Sequence, residues 1–465
     1  MRPSRLTYLW LLFILLAACV PVSTPPGPKL EVITHPDGPL YVGDRVSFEV
    51  LSPQAGKGRD DTIEVKFNGQ SLGSAGIAPF GIGGRREAAL WWVWDTHSLE
   101  PGRYSLSFTR ASDQLSWTET FSLHPASQVP PPEPEAHWAE SVTVCCVIHY
   151  ITGTAAARDI DSLGREADQQ SAAIAGQMNY QLKTKIDVTL MSRVVGQGGF
   201  TAGSVYLSYL DGNYLGSEMP ILFHHEFVHF YDAEIGGGYR PSIFEEGLAV
   251  YLTGGHFKPE PLLPRAASML DLGLYIPLTT LANDFYNQQH DIGYLEGATL
   301  VKYLVDTYGW EAFNDFFRHM PNPDGRKDSE VIDAALRQHF NISFADLEAA
   351  YLAYLRAQTF TQAERTDLRL TVDFFDAARR YQKDLDPSAY FLTAWLPDGS
   401  VMRQHGIVAD LLRRPLKPDN RLLEAMFVRA WQDLSRGDYS GAERILFWGN
   451  RILGLLEVFP KTSGR

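Results

Sequence analysis

Cysteine is nearly absent from this chain, with three in 465 residues. That excludes a small scaffold stapled by disulfides. Two of the three, Cys145 and Cys146, are adjacent in SVTVCCVIHYI. Neighbours on a strand face opposite sides, so a bridge between them is geometrically awkward, and they read as small buried apolar side chains. Positive charge is also in short supply: 41 Lys and Arg against 55 Asp and Glu leave a net charge of -14. An acidic surface favours solubility and argues against nucleic acid as a partner. Long apolar runs are missing too. The opening MRPSRLTYLWLLFILLAACV has two arginines and about a dozen apolar residues, the proportions of a secretory leader and short of the ~20 apolar residues of a spanning helix. No later stretch is apolar enough to span a bilayer.

What is present is concentrated in PILFHHEFVHF, residues 220–230. His225, Glu226 and His229 form H-E-x-x-H, and on a helix i and i+4 stand one above the other, so the two imidazoles can share one metal ion. Glu226 falls beside them, placed to take a proton from a water held on that ion. Phe223, Phe227 and Phe230 lie away from the histidines, which makes the helix buried on most of its circumference. A zinc ion is the simplest way to satisfy polar groups in such surroundings; the alternative is a pair of ordinary core histidines. Catalytic zinc needs a third protein ligand and an open position. The metzincin pattern would put Gly and His where Asp232 and Ile235 stand, so it does not apply. In RPSIFEEGLAVYL, Ser242 and Glu245 fit an S-x-x-E capping box, which leaves Glu246 as the free carboxylate. Gly247 inside that helix implies the close approach of another backbone, for which the His225 helix is the candidate.

These residues resemble the gluzincin metallopeptidases, in particular the aminopeptidase N-like enzymes and the peptidase MA-like domains, which pair an HExxH helix with a following E-G-x-A helix. The resemblance implies His225, His229 and Glu246 as zinc ligands and Glu226 as general base. It also implies Tyr294 as the oxyanion donor, because IGYLEGATL matches the family's Y-x-x-G with Tyr294 and Gly297; His290 is the second candidate donor. The resemblance is tight over residues 220–310 only. The G-x-M-E-N strand whose Glu binds a free amino terminus is missing from GGFTAGSVYLSYLDGNYL. Cleavage within a peptide is therefore expected over aminopeptidase action, with Gly203 to Tyr209 as an edge strand able to pair with an extended peptide. Asp232 can orient a ligand imidazole or simply face solvent at a helix end. Gly236 to Gly238 can line the mouth of a cleft or only connect two helices.

The leader ends in Leu16, Ala17, Ala18 and Cys19, which resembles a bacterial lipobox. A lipidated Cys19 would hold the protein at the outer face of a membrane; a plain leader cut near Ala18 is the other reading. Residues 29–125 show short alternating segments such as DTIEVKFNG, AALWWVWDT and GRYSLSFTR, separated by turn residues. That pattern suits an immunoglobulin-like β-sandwich. Alternation puts Trp92 and Trp94 on one face, as core or as an aromatic platform, and Trp91 on the other.

The expected organisation is multidomain: a leader at 1–18 and a linker at 19–28, the all-β sandwich at 29–125, and a Pro-rich linker at 126–136. An α+β zincin (gluzincin) domain follows at 137–360, with a strand at Ser141 to Tyr150, a helix at Ala155 to Leu182, a strand at Ile186 to Met191 and a helical subdomain after Glu246. An all-α region at 361–465 closes the chain, with one tetratricopeptide-like helix pair. The function expected is zinc-dependent hydrolysis of peptides or proteins at the cell surface, against a non-catalytic binding lipoprotein. Glu226 favours the first, since a structural metal has no use for a base between its ligands.

Overall fold

The computed structural model describes residues 29–52, 61–80, 85–194, 198–215, 218–386, 398–413 and 418–458. The leader and Cys19 lie outside the described residues.

Two packed sheets form the amino-terminal part. One has the order β1 (Glu31–His35), β3 (Arg45–Leu51), β7 (Arg85–Asp95), β6 (Ala78–Phe80). The other runs β2 (Leu40–Tyr41), β9 (Ser116–His124), β8 (Gly102–Arg110), β4 (Thr62–Phe67), β5 (Gln70–Gly76). Val46, Phe48, Val50, Ile63, Val65, Leu106 and Phe108 fill the space between them. Trp94 belongs to this core, but Trp92 does not share its face. The pairing of β3 with β7 shifts between Val46 and Phe48, and Trp92 sits in the irregularity with φ 47°. A bulge resets the alternation on which the sequence reading relied. The Trp92 indole instead donates to Asp410 in the carboxyl-terminal part (3.1 Å).

The central sheet has the order β10 (Trp138–Val142), β11 (Cys146–Ile151), β12 (Ile186–Met191), β14 (Val205–Ser208), β13 (Gly199–Thr201), with the three inner strands parallel. The expected strand at Ser141 to Tyr150 is thus a hairpin. Cys145 and Cys146 are joined by a disulfide, contrary to the sequence reading. The strand argument fails because Cys145 lies in the turn between β10 and β11. That turn is tied by Cys146 N–H to Thr143 Oγ1 (3.1 Å) and by Cys145 N–H to Asp168 (2.8 Å). The segment Gly203 to Tyr209 is not an edge either: β14 is an inner strand, and the edge is β13.

Helix α1 (Ala155–Met178) crosses over the sheet between β11 and β12 and stops four residues early, because Asn179 takes the left-handed conformation that ends a helix. Helix α2 (Met219–Ile235) follows the sheet. Then come α3 (Ser242–Thr253), α4 (Leu262–Asp271), α5 (Leu278–Asn283), α6 (His290–Tyr308), α7 (Trp310–Arg318), α8 (Asp328–Phe340) and α9 (Phe344–Arg356). One continuous core joins these helices to the sheet. Pro241, not Ser242, occupies the N-cap of α3, so the expected capping box does not form. Gly247 does admit a close backbone, but that of α6 and not of the His225 helix. A Cβ on Gly247 would lie 2.5 Å from the Gly297 carbonyl oxygen, and one on Gly297 would lie 2.7 Å from that of Ile243. The two glycines let α3 and α6 touch backbone to backbone, which brings Tyr294 to the side of Glu246.

The remaining helices are α10 (Gln362–Asp384), α11 (Gly399–His405), α12 (Ala409–Leu412), α13 (Pro418–Ser435) and α14 (Tyr439–Val458). Leu368 and Val372 of α10 enter the central core, while Leu370, Phe374, Phe375 and Tyr381 enter a second one with α13 and α14. The short pair α11 and α12 packs against Ile151 and Met191 of the central sheet, with Trp92 of the amino-terminal part beside it. Next to it, Arg413 pairs with both Asp44 (2.6 Å) and Glu133.

Candidate metal centre

Helix α2 carries His225, Glu226 and His229, and all of its flanks are covered: Phe223 and Phe227 are fully buried, with Leu222 and Val228 nearly so. Pro220 in its first turn supplies a preset φ where no amide hydrogen is needed. Glu246 arrives from α3. His225 Nε2 and His229 Nε2 each lie 3.2 Å from Glu246 Oε2, and 3.1 Å from one another. These three side chains are the group of His, Cys, Asp and Glu, among the described residues, whose donor atoms converge as they would on one metal ion.

The fit can be tested by arithmetic. Ligands about 2.05 Å from a tetrahedral zinc stand about 3.3 Å apart, so the triangle has nearly the dimensions the ion requires. Two neutral imidazole nitrogens and a carboxylate oxygen are also donors that zinc favours. Electrostatics agree. Burial would depress the His229 imidazole, yet Glu246 outweighs it and lifts its pKa to about 10. Burial would likewise raise Glu246, and the charge of His229 with hydrogen bonds from both imidazoles holds it well below the carboxylate range. Both directions mean that the cluster favours one positive charge at its centre, whether proton or metal.

Glu226 is 5 % exposed and stands beside the triangle without joining it. Its Oε2 accepts the Thr201 hydroxyl (2.8 Å), and burial pushes its carboxyl above the usual range. Thr201 lies on the edge strand β13, as does Gly199, where a Cβ would come within 3.2 Å of Glu226 Oε1 and 2.9 Å of the Tyr206 carbonyl oxygen. A side chain there would crowd Glu226.

Tyr294 and His290, one turn apart on α6, are both buried next to the triad. The Tyr294 ring stacks on His256 at 3.8 Å between centroids and lies 6.0 Å from the His225 ring; His290 lies 4.6 Å from Tyr294. Burial and the Glu246 charge drive the Tyr294 pKa far up, so its hydroxyl keeps its proton and acts as a donor. Burial, then Arg379, keep His290 neutral.

Four contributors were not found by sequence reasoning. Tyr286 donates to Glu246 Oε1 (2.7 Å), His256 stacks on Tyr294, and Gly199 and Thr201 frame Glu226. Only His256 left a trace, as a histidine after the Gly254-Gly255 turn that ends the Glu246 helix. Two expected participants lie elsewhere. Asp232 is buried but pairs with Arg318 (2.6 Å) and Arg240, so it neither orients a ligand nor faces solvent. The Gly236 to Gly238 loop is a connector clamped to the end of α7, with Gly238 N–H on the Arg318 carbonyl (2.7 Å).

No protein-family model matches the chain, and no curated protein does. Among solved structures it is similar to a crystal structure of an aminopeptidase N family protein from Idiomarina loihiensis. That likeness has 12 % identity and a TM-score of 0.31 over 72 % of this chain and 78 % of that one. A likeness at this level carries no argument about fold or activity, so the functional reading stands on the site itself.

Proposed function

We propose that this chain is a zinc-dependent peptidase of the gluzincin type, with His225, His229 and Glu246 holding the metal and Glu226 as general base. The observation that carries the reading is the 3.1–3.2 Å triangle of two imidazoles and a carboxylate, with a second carboxylate, Glu226, buried beside it and outside the triangle. Zinc bound there supplies a Lewis acid that polarises a carbonyl and makes water acidic near neutral pH. Glu226 takes a proton from the attacking water and returns it to the nitrogen of the departing amine. Its raised pKa suits that exchange, because a carboxylate that binds protons too weakly does not take one up from water in the first place. Thr201 holds Glu226 Oε2, which leaves Oε1 for the proton. The Tyr294 hydroxyl donates to the carbonyl oxygen as negative charge builds on it, and His290 keeps the ring's neighbourhood neutral. Strand β13, at the edge of the central sheet, can take up an extended peptide. The lack of the amino-terminus-binding Glu in the sequence favours cleavage within the peptide. The lipobox-like leader supports an activity outside the cytoplasm, on a membrane-anchored protein.

Elemental analysis should find one zinc per chain. Glu226→Gln should keep the zinc and lower cleavage of casein or a peptide library by about 10²–10⁴-fold. Equal background rates for wild type and variant would end the peptidase reading.

A further inference from the structure

The two oxygens of Glu246 are used differently. Oε2 faces both imidazoles, while Oε1 accepts the Tyr286 hydroxyl at 2.7 Å. Tyr286 lies in the single turn Phe285–Asn287 just before α6, and that turn is gripped from the carboxyl-terminal helix α10. Arg379 donates to the carbonyl oxygens of Tyr286 (2.7 Å) and Gln288 (2.9 Å). Asp376, on the same helix, accepts from the Gln289 amide (3.1 Å), whose own oxygen caps α6 at Ile292 N–H (2.7 Å).

We propose that Tyr286 is a positioning residue for the metal ion, and that Arg379 makes α10 part of the metal site by holding Tyr286 in place. The inference rests on the zinc reading of His225, His229 and Glu246. A carboxylate with both oxygens free can rotate about its last bond and take a metal through one oxygen or two. Tying Oε1 to a phenol removes that freedom and presents Oε2 alone. Hydrogen bonds of this kind to a ligand typically set metal affinity by about 10–100-fold. The grip from α10 matters because the turn bearing Tyr286 has neither regular helix nor strand to fix it.

The test uses the full chain stripped of zinc and titrated in competition with a chromogenic chelator. Tyr286→Phe should bind zinc about 10–100-fold more weakly, and Arg379→Gln should be weakened in the same direction by a smaller factor. Tyr354→Phe, which removes a phenol bond to Asp306 on α6 away from the site, should match wild type. With cobalt(II) in place of zinc, Tyr286→Phe should show a weaker visible absorption, because the released Oε1 can join the ion and raise its coordination number. Wild-type affinity and an unchanged cobalt spectrum in Tyr286→Phe would overturn the role of Tyr286. A weakened Tyr286→Phe with an unaltered Arg379→Gln would overturn the link to α10. Wild type that binds no zinc would instead remove the metal reading itself.

Discussion

Two buried charged clusters flank helix α6, and they are built in opposite ways. Around Arg265, which is 1 % exposed, stand Glu260 (3.4 Å), Asp291 (3.3 Å) and Asp367, with Lys258 on Asp367 (2.7 Å). The protein supplies its own cation, and the acids converge on it from the α3–α4 connection, α6 and α10. Around His225, His229 and Glu246 no lysine or arginine among the described residues enters the triangle, although the cluster favours a positive charge. Burying charge is tolerable only when it is paired. A cluster closed by a side chain is scaffold; one that leaves its centre for a cation from solution is a site.

Changing the clusters one at a time would break or sharpen this contrast. The largest structural effect belongs to Arg265→Leu, which strands three acids in the core and should cost about 3–5 kcal/mol in urea unfolding. The folded fraction of that variant should still bind zinc, because the metal site does not use Arg265; loss of the metal along with stability would mean that the two clusters are one unit. Next comes the metal. Zinc at about 100 times its dissociation constant should stabilise the wild type by about 2.7 kcal/mol, and chelation should remove the gain. Glu246→Gln should unfold at the same point with or without zinc, and a zinc-dependent shift in that variant would count against the triad.

The smallest effect concerns a third cluster, intermediate between the two. Asp410 is fully buried, accepts only the Trp92 indole on one oxygen, and burial lifts its carboxyl to about 7 despite Arg193. Its folded pKa lies above the ordinary value of 3.8. The contribution is therefore complete below about pH 4 and lost as pH rises towards about 7. Asp410→Asn keeps the acceptor for Trp92 and removes the titration. Relative to wild type it should gain stability steadily as pH rises between those limits. Parallel pH profiles for the two proteins would show that Asp410 keeps the same protonation on unfolding.

The contrast also marks how far the sequence could be read. The peptide around His225 declares itself because its donors are four residues apart on one helix, and helical geometry alone decides that they share a face. The same holds for the Ala155 helix and the Ile186 strand, whose periodicities are local. Trp92 and Cys145 depart from the sequence reading for one common reason. Each depended on where a strand stops or bulges, and a shift of one residue reverses every facing side chain. Tyr286 carries no motif at all, since what it does is defined by Glu246, forty positions away in sequence.

The chain by itself thus determined two imidazoles on one helix face with a carboxylate beside them, a mainly acidic composition and an order of strands first and helices later. Those follow from composition and from spacing within one turn of helix. Tertiary structure decided that Tyr294 stands beside Glu246, because two glycines allow α3 and α6 to touch. It also decided that a disulfide joins neighbouring cysteines in a turn, and that a helix near the far end of the sequence holds a residue against the ligand. Such matters rest on backbone approaches between segments whose separation along the chain places no limit on their distance in space.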